Sequence, residues 1–181
     1  RTPVPTPQAL EVGQGIEISN LILSSEIVKA GLPVTLTFTV ANIGTDQNAY
    51  NIAININGEI ESTLSGTLAG EAKRTLSYSL STVNPGTYIV WVGSITDSFL
   101  VLGPEFEFSA LEVSPRAVAP GESVLISAKV QNTGGSPGVF NVDLNVGGLA
   151  VQSFTGMLPA GASKILAFET LQTDPGTYSV T

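Results

Sequence analysis

The chain has 181 residues, contains neither cysteine nor histidine, and carries a formal net charge of −8. Its seven Lys and Arg residues are scattered, which excludes the clustered basic surface that nucleic acid requires. The missing Cys and His exclude zinc sites, cysteine nucleophiles and Ser-His-Asp triads. No cofactor is predicted. No transmembrane segment is predicted either, because no apolar run approaches the roughly 20 residues that cross a bilayer.

A proline-rich tail occupies residues 1–13. Pro3, Pro5 and Pro7 favour an extended polyproline conformation. The apolar run at residues 8–12 is typical of a short strand, and Gly13 closes it. Thr2 and Thr6, each followed by a proline, could carry O-linked sugar.

From Ile16 onward the sequence repeats itself with an offset of 90 residues. A first module at residues 14–102 is therefore predicted to precede a second copy at residues 103–181. A nearly constant register over this length indicates two copies of one module. Aligned positions with the same residue type include Gly31 with Gly121, Val34 with Val124, Asn42 with Asn132 and Gly66 with Gly156.

Apolar and polar residues alternate within each copy, which is the pattern of half-buried strands. The predicted inward positions of the first copy include Val34, Leu36, Phe38, Val40, Tyr50, Ile52, Ile54 and Ile56. Asn57-Gly58 and Gly147-Gly148 predict hairpin turns. The alternation changes phase between Ile18 and Leu21, and again between Phe108 and Leu111, which predicts a bulge in the first strand of each copy.

A turn motif that occurs once in each copy indicates the fold class. It is Asn84-Pro85-Gly86-Thr87-Tyr88 in the first copy, and it returns at residues 174–178 in the second. Proline suits the first corner of a type II turn, and glycine supplies the positive φ of the second. Tyr88 and Tyr178 each lie two residues before an apolar strand position, as in the tyrosine corner of an immunoglobulin-like sandwich. We predict an all-β protein of two tandem sandwiches with about seven strands each.

The second copy ends at Thr181, which aligns with Trp91, so its last strand is missing from this chain. The same offset aligns Leu10 with Leu100 and Val12 with Leu102. Two interpretations stay open. Either the chain is a segment of a longer array, or each subunit donates its tail to the second module of a neighbour, with Leu10 and Val12 inward and Ala9 outward.

Several motifs resemble the CARDB family, a cell-adhesion-related domain of bacteria and archaea. They are Ser-Pro-x-x-Val-x-Pro-Gly-Glu at 114–122, Val-x-Asn-Thr-Gly at 130–134 and Pro-Gly-Thr-Tyr-x-Val at 175–180. The first copy departs from this pattern at Ser25 and at Leu32-Pro33. The resemblance covers both copies, and it implies an extracellular, non-catalytic, tandemly repeated module without a shared functional site.

We expect a structural or adhesive cell-surface protein whose partners are other copies of itself or flanking modules. The alternative is a carbohydrate- or protein-binding accessory module of a larger secreted protein. Trp91 is the candidate contact for a glycan or partner, because alternation places it outward. A hydrolase using paired acids such as Glu59 and Glu61 is the least favoured hypothesis.

Calcium at the junction of the two modules is a further hypothesis. Asp97, Glu105 and Glu107 lie near the junction in sequence, and oxygen ligands there could stiffen the protein. No loop shows the dense Asp spacing of a calcium loop, so solvated or capping acids are the favoured interpretation.

Overall fold

The computed structural model describes residues 12–181, and these residues form an all-β protein. They divide into a first unit that ends at Leu102 and a second unit, Gly103–Thr181. None of the described residues belongs to a helix with the length and apolar character to cross a membrane.

From residue 12 onward, the first unit contains eight strands. They are β1 (Ile16–Leu23), β2 (Ile27–Lys29), β3 (Pro33–Asn42), β4 (Asn48–Ile56), β5 (Glu59–Leu68), β6 (Lys73–Ser81), β7 (Gly86–Val92) and β8 (Ile95–Leu102). They form a three-stranded sheet in the order β1-β3-β6 and a five-stranded sheet in the order β2-β8-β7-β4-β5. The alternating residues of both sheets meet in one core, as predicted, and its fully buried members include Val34, Leu36, Phe38, Val40, Ile52, Ile54 and Val90.

The second unit contains five strands. They are β9 (Phe106–Ser114), β10 (Ser123–Asn132), β11 (Gly138–Val146), β12 (Leu149–Leu158) and β13 (Ser163–Leu171). The sheets are β13-β10-β9 and β11-β12. A single bridge between Val146 and Val180 extends the smaller sheet. The first unit thus has one strand more than the predicted seven, and the second unit, which was expected to lack its last strand, has five.

A bulge interrupts the first strand of each unit, as predicted from the change of phase. One extra residue of β1 lies between Ser19 and Ile22 relative to β3, and Asn20 adopts φ 56° there. In β9 the equivalent Ala110 has φ 53°. The extra residue restores the inward direction of the apolar side chains on both sides of the bulge.

The hairpins at Asn57-Gly58 and Gly147-Gly148 are also confirmed. All four residues have positive φ, from 53° to 92°, which is the conformation of a type I′ turn. This turn twists in the same sense as the strands that it joins.

The predicted type II turns before Tyr88 and Tyr178 are wrong. Gly86 has φ 145° rather than the roughly +80° of such a turn. The reason is that Gly86 already begins β7, where it pairs with Val101. Gly176 does not have a positive φ, and no regular strand follows it.

Candidate interaction groove

Strand β8 closes the sandwich of the first unit. It pairs with β7 over seven residues, and its side chains Phe99 and Val101 are only 2% and 1% exposed. The Phe99 ring stacks on Tyr88 with centroids 5.2 Å apart. The two side chains therefore fill the space between the sheets on the β8 side of the core.

Strand β2 depends on β8 as well. Its three residues pair in parallel with Leu100, Val101 and Leu102, and the Leu100 N–H donates to the Glu26 carbonyl at 2.8 Å. Val28 packs beside Val101 and is 9% exposed. A strand of three residues forms strand-to-strand hydrogen bonds only when another strand lies beside it.

The second unit has an opening in the corresponding place. A cavity of about 450 Å³ lies between Val118, Ile126, Tyr178 and Val180. Val118, the counterpart of Val28, is 38% exposed, and Tyr178 is 36% exposed. Residues 115–120 form no strand here, whereas in the first unit the equivalent segment contains β2, which pairs with β8.

A second cavity of about 380 Å³ shares the lining residue Ile126 with the first. It lies against Ala128, Val142 and Thr181. Ala128 stands where the first unit has the fully buried Phe38, and the smaller side chain leaves part of this space empty. We call the two cavities together the open groove.

The segment 177–181 is hydrogen-bonded to β11 on one side, and on its other side backbone groups point towards the open groove. Asn145 and Thr181 exchange two backbone hydrogen bonds, at 2.8 and 3.1 Å, and Ser179 accepts one from Gly147 at 2.9 Å. Because hydrogen-bonding directions alternate along a strand, the backbone groups of Tyr178 and Val180 point to the opposite side. In the first unit the equivalent side of β7 pairs with β8.

The predicted donor residues Ala9 and Leu10 lie outside the described residues. Val12 is half-buried against the core of its own first unit, beside Gly93. The 90-residue offset does not place Leu10 and Val12 on the inward side, as had been expected. It pairs Leu10 with Leu100, which is 38% exposed, whereas the inward positions of β8 correspond to Ala9 and Glu11.

The Tyr88 hydroxyl donates to the Asn84 carbonyl at 2.9 Å and lies 2.7 Å from the Thr82 hydroxyl. The Tyr178 hydroxyl donates to the Asp174 carbonyl, also at 2.9 Å. Each hydroxyl thus reaches back to the turn before its strand, which is the geometry of a tyrosine corner.

Tyr88→Phe is expected to destabilise the first unit by about 0.5–1.5 kcal/mol, because both partners of the hydroxyl lose a hydrogen bond. Tyr178→Phe should cost less, since this side chain is more exposed and has one partner. Thermal unfolding followed by the fluorescence of Trp91, the single tryptophan of the chain, reports on the first unit. An unchanged Tm for Tyr88→Phe would show that the corner does not hold this end of the sandwich.

Trp91 lies on the outer side of β7, because its neighbours Val90 and Val92 are buried in the core. Its strand partners are Asn55 on β4 and Thr96 on β8. The side chain is half-buried rather than fully exposed, so it offers part of its surface to a partner.

Two of the acidic candidates accept hydrogen bonds from neighbouring groups. Within residues 12–181, no three acidic side chains come together in a way that could hold a metal ion. Glu61 accepts a hydrogen bond from the Tyr78 hydroxyl at 3.2 Å, and partial burial together with the Glu61 charge raises the pKa of Tyr78. Asp97 accepts a hydrogen bond from the N–H of the next residue of β8, Ser98.

Two buried asparagines with a clear structural role were not identified from the sequence. The Asn42 amide donates to the carbonyls of Asp46, Leu68 and Ala69, and its oxygen accepts from Gly44. Asn132 makes the equivalent contacts in the second unit. The Asn-x-Gly motif repeated at the 90-residue offset is the signal that could have identified them.

No protein-family model and no curated protein sequence matches the chain. Solved structures that match include the crystal structure of red sea bream transglutaminase, at 12% identity and a TM-score of 0.38. The alignment covers 94% of this chain and 28% of the transglutaminase chain. A similarity this low carries no argument about function.

Proposed function

We propose that this chain is a non-catalytic, extracellular structural or adhesive protein, a module pair of a cell-surface array or filament. In this proposal a β-strand from a neighbouring polypeptide completes the second unit. The observation that supports it is the open groove, which lies where the first unit holds β8. The resemblance of the repeated motifs to the CARDB family supports the extracellular, adhesive part.

The tail is the candidate donor in a head-to-tail assembly, with Ala9, Leu10 and Val12 at the interface. To point inward, Leu10 and Val12 must take the positions of Phe99 and Val101, a shift of one residue from the repeat alignment. Such a shift exchanges the two faces of a strand. A strand from another molecule is free to make this shift, because no covalent connection fixes its register.

The tail alone provides a modest affinity. Burying Leu10 and Val12 contributes roughly 1.5–3 kcal/mol each, and each ladder hydrogen bond contributes about 0.5–1.5 kcal/mol. Ordering the backbone costs about 1–2 kcal/mol per residue, and Val12 gives up its contact with its own first unit. A durable filament therefore needs further contacts from the proline-rich stretch or between modules.

The experiment compares the intact chain with a variant that lacks residues 1–13. We expect the intact chain to form head-to-tail filaments in sedimentation and electron microscopy as its concentration rises, because such a contact does not close on itself. The truncated chain is expected to stay monomeric. Equal assembly of the two chains would contradict tail donation.

A glycan array separates this proposal from an accessory binding module. The half-buried Trp91 on the outer side of β7 is the feature that favours the alternative. Specific glycan binding that Trp91→Ala abolishes would support the binding module in place of the filament.

A further inference from the structure

We infer that strand β12 of the second unit is a contact surface for a second copy of this chain. In this contact the β12 strands of two copies pair antiparallel, edge to edge, around a two-fold axis at Ser153. It is separate from the head-to-tail contact proposed above, because β12 contains no residue of the tail and none that lines the open groove. The inference rests on a difference between the two units at the same strand.

Strand β12 lies at an edge of its sheet. Among the described residues it pairs with β11 and with no other strand. Its counterpart β5 likewise lies at the edge of the five-stranded sheet of the first unit. The backbone groups on the outer side of an edge strand form a template on which a further strand can pair. The edge position is therefore a property of the strand order that both units share.

The first unit protects this edge with two carboxylates. Glu59 and Glu61 belong to β5 and are exposed, and charged side chains on an edge strand oppose pairing with another chain. The 90-residue offset places Leu149 and Val151 at these positions, and they are 74% and 45% exposed. The second unit thus carries exposed apolar side chains where the first unit carries edge charges.

The residue that contacts one of these carboxylates differs between the units as well. In the first unit the Tyr78 hydroxyl donates to Glu61 at 3.2 Å. Phe168 stands at the position of Tyr78 in the second unit, has no hydroxyl and is 4% exposed. The second unit therefore lacks both the charge at this edge and the polar group that holds it.

The absence of charge on β12 favours a second copy of the same strand as the partner. All ten residues of β12 are uncharged, although the chain carries a net charge of −8. Two copies can therefore meet at this strand without placing like charges opposite each other. In an antiparallel pair centred on Ser153, the exposed Leu149 of one copy lies beside Met157 of the other, which is 69% exposed. A two-fold contact of this kind closes on itself and gives a dimer.

The acidic residue of the neighbouring strand does not oppose this contact. Asp143 on β11 lies opposite Ser153 and accepts a hydrogen bond from its hydroxyl. In the paired dimer the two Asp143 side chains are three strand spacings apart, about 14 Å. Their repulsion is largely screened, because the Debye length at physiological ionic strength is about 8 Å.

Disulfide cross-linking tests the contact, since the chain contains no cysteine. Residues directly opposite each other in an antiparallel pair have Cβ atoms about 4.5–5.5 Å apart, which is near their separation in a disulfide. We expect the Ser153→Cys variant of the intact chain to form a disulfide-linked dimer on mild oxidation. Thr63→Cys is the matched control, because Thr63 is the exposed counterpart of Ser153 on β5. It should cross-link at least about tenfold more slowly, since Glu59 and Glu61 of two copies repel each other.

Charge on the β12 edge should prevent the cross-link. Leu149→Glu together with Val151→Glu gives β12 the residues that β5 carries at the same positions. Added to Ser153→Cys, this pair is expected to slow dimer formation at least about tenfold, because four carboxylates then lie in one contact. Leu125→Thr should leave the rate unchanged. It replaces an exposed apolar residue of β10, in the other sheet, by its first-unit counterpart Thr35.

Hydrogen exchange of the unsubstituted chain provides a second measurement. We expect amides of β12 to gain protection as the chain is concentrated, with or without residues 1–13, because the contact does not use the tail. The inference is overturned if Ser153→Cys cross-links no faster than Thr63→Cys, if the two Glu substitutions have no effect, or if β12 gains no protection. Filament formation by the intact and the truncated chain tests the proposed function independently, so either proposal can fail alone.

Discussion

Phe99→Ala is expected to lower the free energy of unfolding of the first unit by about 3–5 kcal/mol, the range for removing a buried aromatic side chain. The ring is almost completely buried and stacks on Tyr88. Its removal leaves a cavity between the sheets and also removes the stacking contact. The variant therefore gives the first unit an opening of the kind that the second unit has.

Leu100→Ala is the matched control, because Leu100 is the next residue of the same strand and faces outward. Denaturant unfolding followed by Trp91 fluorescence measures the first unit in both variants. We expect Leu100→Ala to cost less than about 1 kcal/mol, as surface substitutions usually do. Similar losses in the two variants would contradict the assignment of Phe99 as the residue that closes the sandwich.

Asn42→Ala is expected to destabilise the first unit by about 3 kcal/mol, because one buried and three partly buried backbone groups lose a hydrogen bond at once. Asn42 is 2% exposed and connects the turn after β3 with the end of β5. The side chain donates to the carbonyls of Leu68 and Ala69 and accepts a hydrogen bond from the Gly44 N–H; the Ala69 carbonyl also accepts one from the Ala72 N–H.

Asn42→Asp distinguishes the effect of losing the donated hydrogen bonds from the effect of losing side-chain volume. Aspartate has nearly the same shape, but as a carboxylate it cannot donate to the Leu68 carbonyl, and it buries a charge. We expect it to be at least as destabilising as Asn42→Ala in the same fluorescence-detected unfolding. Asn51→Ala on β4, at an exposed position, should have little effect. A well-tolerated Asn42→Asp would show that the side chain fills space rather than holding the loops together.

Those features of the fold that depend on neighbouring residues could be predicted from the sequence. The alternation that buries Leu36 and Ile54 is local, and so is the positive φ of Asn57-Gly58. The bulge at Asn20 follows from a change of phase within one strand. Each of these depends on residues only a few positions apart.

Features that depend on distant partners could not be predicted in the same way. Strand β2 pairs with β8, about 70 residues later in the chain, and the three residues of β2 do not by themselves indicate that partner. The carbonyl partner of Asn42 is 26 residues away. The inward face of β8 follows from the burial of Phe99 and Val101, and it means that Leu10 and Val12 can point inward only after a shift of one residue from the repeat alignment.

Hydrogen exchange at residues 116–119 and 177–181 is the most direct test of the open groove as a strand acceptor. As the intact chain is concentrated and assembles, we predict that amides in both segments become protected, because a donated strand pairs with each of them. The chain without residues 1–13 should remain unprotected there at every concentration. Assembly of the intact chain without protection of these segments would contradict strand donation into the groove, as would full protection in the dilute monomer.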